Sequence, residues 1–251
     1  MMLGKDVELI DGEPIAYIRS ICALVLSDMH LGFESYNAGK GILVPKVNLR
    51  SIKKIVEKAL EGRSVSKIII TGDIKNDFST VEIEEIKEIE EFAAFAESKG
   101  LEVVLVKGNH DNFIDKYKNR LGIKIHGRSF QEGGYLFFHG DTVPAIRKGL
   151  KMMVMGHEHP AISIISGSGR KESVRCFLEG RYKGVKLLVM PAASYFAGLS
   201  SVTYGEMLSP VFRKVDVGNM RAIAFGYGRT IDFGKVSMLR LAARRAKEER
   251  L

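Results

Sequence analysis

Cysteine and long apolar runs are scarce in this chain. Its 251 residues include two cysteines, Cys22 and Cys176, and no tryptophan. Two cysteines cannot form the disulfide framework of a small secreted scaffold, so that class of protein is excluded. The most apolar stretch, residues 186–199, is interrupted by Pro191 and is too short to span a bilayer. The first residues form no apolar secretory segment. We therefore expect a cytoplasmic protein that makes no membrane contact.

The chain is long enough to bury a sizeable core, as one large α/β domain or two small ones. No low-complexity linker, repeat or change in composition marks a boundary, so we expect a single domain over residues 1–251. The chain has 38 basic and 30 acidic residues, which gives a net charge of +8. That charge favours polyanionic partners and anionic substrates.

Strand-like and helix-like segments alternate in the first half of the chain. Apolar runs predict strands, and apolar residues at helical spacing predict helices. The predicted strands cover residues 21–26, 67–71 and 101–106, and the predicted helices cover residues 46–61 and 80–99. The second helix places a glutamate-rich face toward solvent. The order is that of a βαβαβ unit, whose strands would be parallel.

Short strands follow one another in the second half. Residues 135–138 and 152–155 are apolar and strand-like. Residues 175–178 and 186–190 flank a turn over residues 179–184, a pattern that predicts a hairpin. Strands spaced this closely indicate a second sheet with more antiparallel pairing.

Five of the six histidines lie in short motifs near the ends of apolar runs. In chain order the motifs are Asp28-Met29-His30, Gly72-Asp73, Gly108-Asn109-His110-Asp111, His139-Gly140-Asp141 and Gly156-His157-Glu158-His159. Imidazole nitrogens and carboxylate oxygens are metal ligands, and in open α/β sheets sites form where strands end. The motifs therefore predict one binuclear metal centre, which implies chemistry on a phosphate ester.

The spacing within the motifs supports a shared site. Asp28 and His30 are two residues apart at a strand end, so both side chains can point to one face. His157 and His159 repeat this spacing. Asp73 has two carboxylate oxygens and can bridge two cations.

As an ordered set, the motifs resemble the calcineurin-like metallophosphoesterases over residues 28–159. The resemblance implies a four-layer α/β/β/α sandwich of two mixed β-sheets flanked by helices. It also implies two divalent ions, and the mixed nitrogen and oxygen ligands favour manganese, with zinc or iron as alternatives. One ion would be bound by Asp28, His30, Asp73 and His159, and the other by Asp73, Asn109, His139 and His157.

The resemblance places His110 at the substrate. A hydroxide shared by the two ions would attack phosphorus, and His110 would protonate the leaving oxygen or stabilise its charge. The family commonly has Asp or His at the position of Asn76, and where the Asp is present it orients the catalytic histidine. Here Asp77 or Asp111 could orient His110. Each could equally be a cap, Asp77 of the next turn and Asp111 of the helix that follows.

Three other polar residues have simpler interpretations. Glu158 alternates with two ligands and is expected to point to solvent or into a salt bridge. Asp141 is expected to cap the turn after His139 rather than to hold that ring. His126 is expected on the surface.

A closer resemblance is to the small SbcD-related phosphoesterases of archaea and their bacterial relatives associated with DNA repair. Its residues are 28–34, 139–141, 156–160 and 188–192. It favours a phosphodiesterase or nuclease acting on DNA or RNA.

Basic clusters at residues 169–175, 181–186 and 240–251 agree with nucleic-acid binding, although the last could be a solvated helix end. Aromatic residues do not alternate with these charges, so the sequence shows no stacking platform for a single strand.

Two alternatives are a small-molecule phosphatase and a non-catalytic nucleic-acid-binding protein. The first would gain support if residues 32–45, which lack periodicity and are predicted to form a flexible surface loop, closed the pocket. The second ranks last because all seven ligand positions are filled. The sequence does not specify an oligomeric state.

Overall fold

The computed structural model describes residues 1–146, 148–165, 170–205 and 207–248. The first of its two sheets contains seven strands in chain order. They are β1 (Met2–Leu3), β2 (Val7–Leu9), β3 (Ala16–Ile18), β4 (Ala23–Leu26), β5 (Lys67–Ile70), β6 (Glu102–Val106) and β7 (Lys124–His126). Strands β1 to β4 pair antiparallel, whereas β4 to β7 pair parallel.

Helices connect the parallel strands, which confirms the predicted βαβαβ unit. They are α1 (Phe33–Gly39), α2 (Asn48–Leu60), α3 (Ile83–Ser98) and the single turn α4 (Lys118–Leu121). Alternate residues of β4 face opposite sides: Leu24 and Leu26 pack with α2 and α3, whereas Ala23 and Val25 face the second sheet. A strand covered on both faces reads as a continuous apolar run.

The second sheet contains nine strands with mixed pairing. They are β8 (Ser129–Glu132), β9 (Tyr135–Phe138), β10 (Met152–Met155), β11 (Pro160–Ile165), β12 (Lys171–Tyr182), β13 (Val185–Val189), β14 (Ser200–Ser201), β15 (Arg221–Gly226) and β16 (Arg229–Lys235). The spatial order is β14-β11-β12-β13-β10-β9-β8, and β15 joins β16 to β12. Strands β9, β10 and β13 are mutually parallel, while β12 pairs antiparallel with its neighbours.

The two sheets pack face to face, with a buried cluster between them that includes Val25, Ile69, Phe137 and Val154. The outer face of the second sheet is covered by the 3₁₀ segment Pro210–Lys214 and by helix α5 (Val236–Glu248). The predicted four-layer sandwich of two mixed sheets flanked by helices is therefore confirmed. The central cluster takes side chains from both halves of the chain.

The predicted hairpin is formed by β12 and β13, and its turn is shorter than the sequence predicts. Strand β12 continues through residues 179–182, and Tyr182 pairs with Val185. Only Lys183 and Gly184 form the turn, with φ values of 47° and 83°. A two-residue hairpin turn of this kind needs positive φ at both positions, and Gly184 adopts it at little cost. The prediction of a turn over residues 179–182 was therefore wrong, because these residues continue strand β12.

Residues 32–45 are not entirely the irregular loop that the sequence predicts, since helix α1 spans Phe33–Gly39. Its first turn carries Glu34, which is buried and accepts hydrogen bonds from the main-chain nitrogens of Val47 and Asn48 at 3.0 and 2.8 Å. A helix this short is marginal in isolation, so its stability comes from such tertiary contacts. That is why periodicity did not reveal it.

Two features bear on the protein classes considered from the sequence. Among the described helices, none combines the length and apolar character that crossing a membrane requires. Cys22 and Cys176 are both free thiols.

Candidate metal centre

The predicted ligands lie where the strands of both sheets end. From the first sheet come Asp28 and His30 after β4, Asp73 after β5 and Asn109 after β6; from the second come His139 after β9, and His157 and His159 between β10 and β11. Since the two sheets pack against each other, these seven side chains form one cluster.

Side chains of the described residues form three sets of possible metal ligands, and the ligand atoms within each set lie within 4.8 Å of one another. They are Asp28 with His30 and His159, Asp73 with His139 and His157, and Asp73 with His30 and His110. The Oδ1 atom of Asn109 lies 3.1 Å from His139 Nε2 and so joins the second set. Asp73 belongs to two sets, and its carboxylate is therefore positioned to serve both.

Most of these residues have a left-handed backbone. Asp28, His30, Asp73, His157 and His159 have φ values between 45° and 68°. Such values are uncommon for residues with a Cβ atom, and each costs about 1–3 kcal/mol that the surrounding structure must offset. The residues of each predicted pair do converge, but in loops beyond the strands rather than on one strand face.

Burial and charge oppose each other in the cluster. Burial would raise the pKa of Asp28, but His159, 3.2 Å away, together with His139 and His30, holds it well below its usual range. Burial also disfavours protonation of His139, yet Asp73 and Asp28 raise its pKa to about 10. Carboxylates and imidazoles therefore neutralise one another, and a divalent ion that binds here must displace histidine protons.

His30 fits a metal ligand particularly well. Burial lowers its pKa to about 4, so the ring is neutral at neutral pH. Its Nδ1 atom is buried and has no hydrogen-bond partner within the described part of the chain. A buried polar atom without a partner costs free energy, and coordination of a cation would remove that cost.

Two motif glycines are required by close packing. A Cβ atom on Gly72 would overlap the ring of His139, and one on Gly156 would overlap Ser27 Oγ and Asp28 Oδ2. Gly72 also has a φ of 96°. The glycines therefore allow the main chain to lie directly against the ligands.

His110 lies beside the cluster. Its main-chain nitrogen donates to Asp73 Oδ1 at 2.9 Å, and its Nδ1 atom lies 2.5 Å from the carbonyl oxygen of Asn76. A carbonyl oxygen can only accept, so Nδ1 carries the proton of this hydrogen bond. The carbonyl of Asn76 thus orients the ring, although its side chain is not the carboxylate common at that position.

The two carboxylates predicted to orient His110 make other hydrogen bonds. Asp77 accepts from the main-chain nitrogen and hydroxyl of Ser79 at 2.8 Å each and from the Thr80 hydroxyl at 3.1 Å, which is the capping alternative. Asp111 is buried and does not cap the following helix. It accepts from the main-chain nitrogens of Asp73, Ile74, Lys75 and Gly108 at 2.8, 3.0, 3.3 and 2.8 Å. Asp111 therefore fixes the loop that carries Asp73.

Glu85 fixes the segment that carries the Asn76 carbonyl. Although the sequence predicts a solvent-facing glutamate face on α3, Glu85 is fully buried. Its Oε1 atom accepts from the main-chain nitrogens of Asn76 and Asp77 at 3.0 and 2.6 Å, and Lys75 forms a buried ion pair with it. Burial raises the pKa of Glu85. The only sequence signal was a capping box, Glu82 with Glu85, at the helix start.

The neighbours of the second-sheet ligands also differ from expectation. Glu158 is buried rather than exposed, and it accepts from the main-chain nitrogens of Leu208 and Ser209 at 2.9 Å each. The Nδ1 atom of His139 lies 2.9 Å from the carbonyl oxygen of Thr71. That carbonyl holds the ring, which agrees with the expectation that Asp141 does not.

A pocket of about 410 Å³ opens onto the cluster and is lined by His30, His110 and His159. Two phenylalanines that the sequence did not single out, Phe33 and Phe196, also line it and stack with ring centroids 4.9 Å apart. They come from α1 and from the segment after β13, so no local pattern joins them.

The comparison with known protein families agrees with this geometry. The calcineurin-like phosphoesterase pattern matches residues 23–179. The structure of the Pseudomonas putida nuclease MPE is similar, with a TM-score of 0.62 and 18% identity, over 89% of this chain and 93% of that one. Yfce, a phosphoesterase from E. coli, has a TM-score of 0.39 and 17% identity over 70% of this chain and 82% of its own. The search among curated proteins gave no match. The family pattern covers more than half of the chain, which therefore belongs to the calcineurin-like phosphoesterases, a family of metal-dependent hydrolases.

Proposed function

We propose that this protein uses two divalent ions, manganese by preference, to hydrolyse phosphodiester bonds in nucleic acid. The observation that carries the proposal is the group of three ligand sets, joined to one another through His30 and Asp73, beside an open pocket. One ion is assigned to Asp28, His30, Asp73 and His159, and the other to Asp73, Asn109, His139 and His157. Such nitrogen and oxygen ligands suit manganese, and zinc or iron would also bind.

The chain itself supplies orientation and a proton. Asp28 and Asp73 cancel only part of the charge of two divalent ions, so the site stays attractive to a phosphate. The ions, when bound, polarise the phosphate and make water nucleophilic near neutral pH. With Nδ1 of His110 donating to the Asn76 carbonyl, Nε2 of the protonated ring is the atom that can give its proton to a leaving oxygen, which leaves the ring neutral.

Three observations support a nucleic-acid substrate. The net charge of +8 attracts polyanions. The stacked pair Phe33 and Phe196 at the pocket offers an aromatic face to a base. The structure with a TM-score of 0.62 is that of a nuclease. Of the predicted basic clusters, residues 169 and 249–251 lie outside the described chain.

One observation favours a second candidate, a phosphoesterase acting on nucleotides or other small phosphates. Helix α1 places Phe33 on the wall of the pocket that opens onto the ligands. A pocket bounded in this way also suits a single nucleotide.

The test is cleavage of an end-labelled single-stranded oligonucleotide by manganese-loaded protein, with bis-p-nitrophenyl phosphate in parallel. We expect both to be cleaved, and Asp73→Ala to lose both activities while retaining its fold by circular dichroism. Cleavage of only the small diester would favour the second candidate. Undiminished hydrolysis by Asp73→Ala would overturn the assigned centre.

A further inference from the structure

A second concave surface adjoins the metal pocket. It has a volume of about 520 Å³ and lies between strand β12, the segment after β13 and the hairpin of β15 and β16. We call it the aromatic groove and define it by Arg175, Tyr195, Leu199, Tyr227, Arg229 and Phe233. Ala197 and Leu199 line both the groove and the metal pocket, so the two share a wall.

The shared wall is tied to the metal centre. The main-chain nitrogens of Ala193 and Ser194 donate to the carbonyls of Ser27 and Asp28 at 2.8 and 3.1 Å. Further along the same segment, Phe196 lines the metal pocket while Tyr195 lines the groove. A bound molecule that spans both surfaces would therefore be held in a defined position relative to Asp28 of the metal centre.

Several aromatic side chains of the groove are exposed. Tyr227 is fully exposed, Tyr195 is 67% exposed and Phe233 is 37% exposed, with Ile231 and Leu199 beside them. Exposed aromatic rings that line one concave surface can pack against a ligand that enters it. Because three aromatic rings contribute to it, planar ligands are favoured.

The charged groups of the groove restrict the occupant further. Arg175 lies with its guanidinium 5.3 Å from the ring centroid of Phe225, and its Nη1 donates to the carbonyls of Ala192 and Ser194. Arg229 is exposed on the hairpin, whereas Glu172 is the one acidic side chain among the lining residues. Aromatic rings interspersed with arginines are typical of channels for single-stranded nucleic acid.

We propose that the aromatic groove binds unpaired nucleotides next to the scissile phosphate, with bases stacked on Tyr195 and Tyr227 and phosphates paired with Arg229. The inference rests on the proposed nuclease function and specifies its substrate as single-stranded. A base already stacked in a duplex cannot lie on these rings, so the groove would contribute little to duplex binding. The sequence hid this platform because its rings come from two separate segments, the one after β13 and the hairpin of β15 and β16.

The experiment compares Tyr227→Ala and Arg229→Ala with Tyr204→Ala and Arg213→Ala, which change exposed residues outside the groove. Affinity for a fluorescein-labelled single-stranded oligonucleotide is measured by anisotropy in a chelating buffer, which prevents cleavage. Stacking of one base contributes about 1–3 kcal/mol, so we expect Tyr227→Ala to weaken binding by about tenfold. Arg229→Ala should also reduce the slope of log affinity against log salt by about 0.7. The two controls should match wild type.

Hydrolysis separates the groove from the catalytic centre. In manganese, the groove variants should raise the KM for the oligonucleotide and leave the kcat/KM for bis-p-nitrophenyl phosphate unchanged, because the small diester reaches only the metal pocket. If wild type and the groove variants bound the oligonucleotide equally well, the proposed role of the groove would be wrong, but the proposed nuclease function would still stand. If the groove variants lost as much affinity for a duplex as for the single-stranded oligonucleotide, the proposed stacking of unpaired bases would be wrong. A dimer that becomes monomeric in Tyr227→Ala, with unchanged oligonucleotide affinity, would assign the groove to self-association. Wild type that neither binds nor cleaves the oligonucleotide would overturn the nucleic-acid function itself.

Discussion

The first sheet and the second sheet hold their metal-centre residues in different ways. On the first, side chains bind the main chain of the ligand loops. Asp111 accepts four main-chain hydrogen bonds, three of them from residues 73–75. The Nδ2 atom of Asn48 donates to the carbonyls of Met29 and His30 at 2.9 and 3.3 Å.

Among the ligands from the second sheet, main-chain carbonyls bind two of the three rings, those of His139 and His159. The carbonyls of Thr71 and Gly198 each lie 2.9 Å from the Nδ1 atoms of His139 and His159, respectively. With Nδ1 donating, the proton is fixed there and Nε2 is left as the coordinating atom. Support from the first sheet therefore fixes the loops that carry its ligands, whereas the carbonyl contacts fix which nitrogen of His139 and of His159 can bind.

The largest effect should come from Asp111→Ala, which removes the support of the first sheet. Four N–H groups, three of them buried, would lose their acceptor, at about 1–3 kcal/mol for each buried group. We expect the free energy of unfolding to fall by at least about 4 kcal/mol and manganese affinity to fall by about 100-fold, measured by urea unfolding and calorimetry. Asp115→Ala, which removes an exposed partner of Lys107, should change stability by less than about 0.5 kcal/mol. Wild-type manganese affinity in Asp111→Ala would contradict the proposed support.

Glu85→Gln tests whether the first sheet also positions His110. The variant disturbs the segment that holds the Asn76 carbonyl, so we expect kcat on the oligonucleotide to fall about tenfold. Bis-p-nitrophenyl phosphate should be affected about twofold or less, because its leaving group needs no proton. Glu91→Gln, which changes an exposed glutamate on the same helix, is the control.

A double-mutant cycle shows whether Glu85 acts through His110. In a His110→Ala background, Glu85→Gln should cause no further loss of kcat, since residues that act as a unit are not additive. An additive loss on both substrates would mean that Glu85 supports only the general structure.

Glu158→Gln should separate the loop contacts of the second sheet from its ring contacts. The amide would offer a donor to the main-chain nitrogen of Leu208 or Ser209, which costs about 1–2 kcal/mol of stability. No ligand ring loses its carbonyl, so manganese affinity should change by less than about threefold. A loss of affinity as large as that of Asp111→Ala would remove the distinction between the two sheets.

The smallest effect should come from Glu8→Gln, far from the centre. A hydrogen bond from Arg63 lowers the pKa of Glu8 and outweighs burial. The resulting stability is present above the ordinary pKa of 4.5 and is lost as the pH falls through the lower pKa of the folded protein. We expect a difference of under about 1 kcal/mol at pH 7 that disappears at low pH, measured by urea unfolding, with no change in metal affinity. A persistent difference in acid would contradict this origin.

The sequence predicted the parallel strands and the convergence of all seven side chains, because apolar runs and chemically distinctive residues are local signals. It did not predict the supports of the centre. Glu85 and Glu158 looked solvent-exposed by periodicity, yet they bind main-chain groups of segments distant in the chain. Burial of a carboxylate depends on what donates to it, and single-sequence patterns do not contain that information.

The aromatic surfaces were missed for a related reason. Phe33 and Phe196 are far apart in sequence, as are Tyr195 and Tyr227. A search for aromatic residues alternating with charge detects a platform built on one strand, whereas here the rings are gathered by the packing of separate segments. Of the two roles considered for Asp77, capping of the next turn matches its hydrogen bonds, and a cap can be predicted locally because it involves only neighbouring residues.

The Thr71–His139 contact crosses from the first sheet to the second, and each proposed ion would have ligands from both. A bound ion is then a reversible crosslink between two halves of the core. At a concentration of 100 times its Kd, it would add about 2.7 kcal/mol to the stability of the entire chain. A chelator would therefore lower the unfolding temperature as well as the activity, and the metal-free chain would be more susceptible to proteolysis.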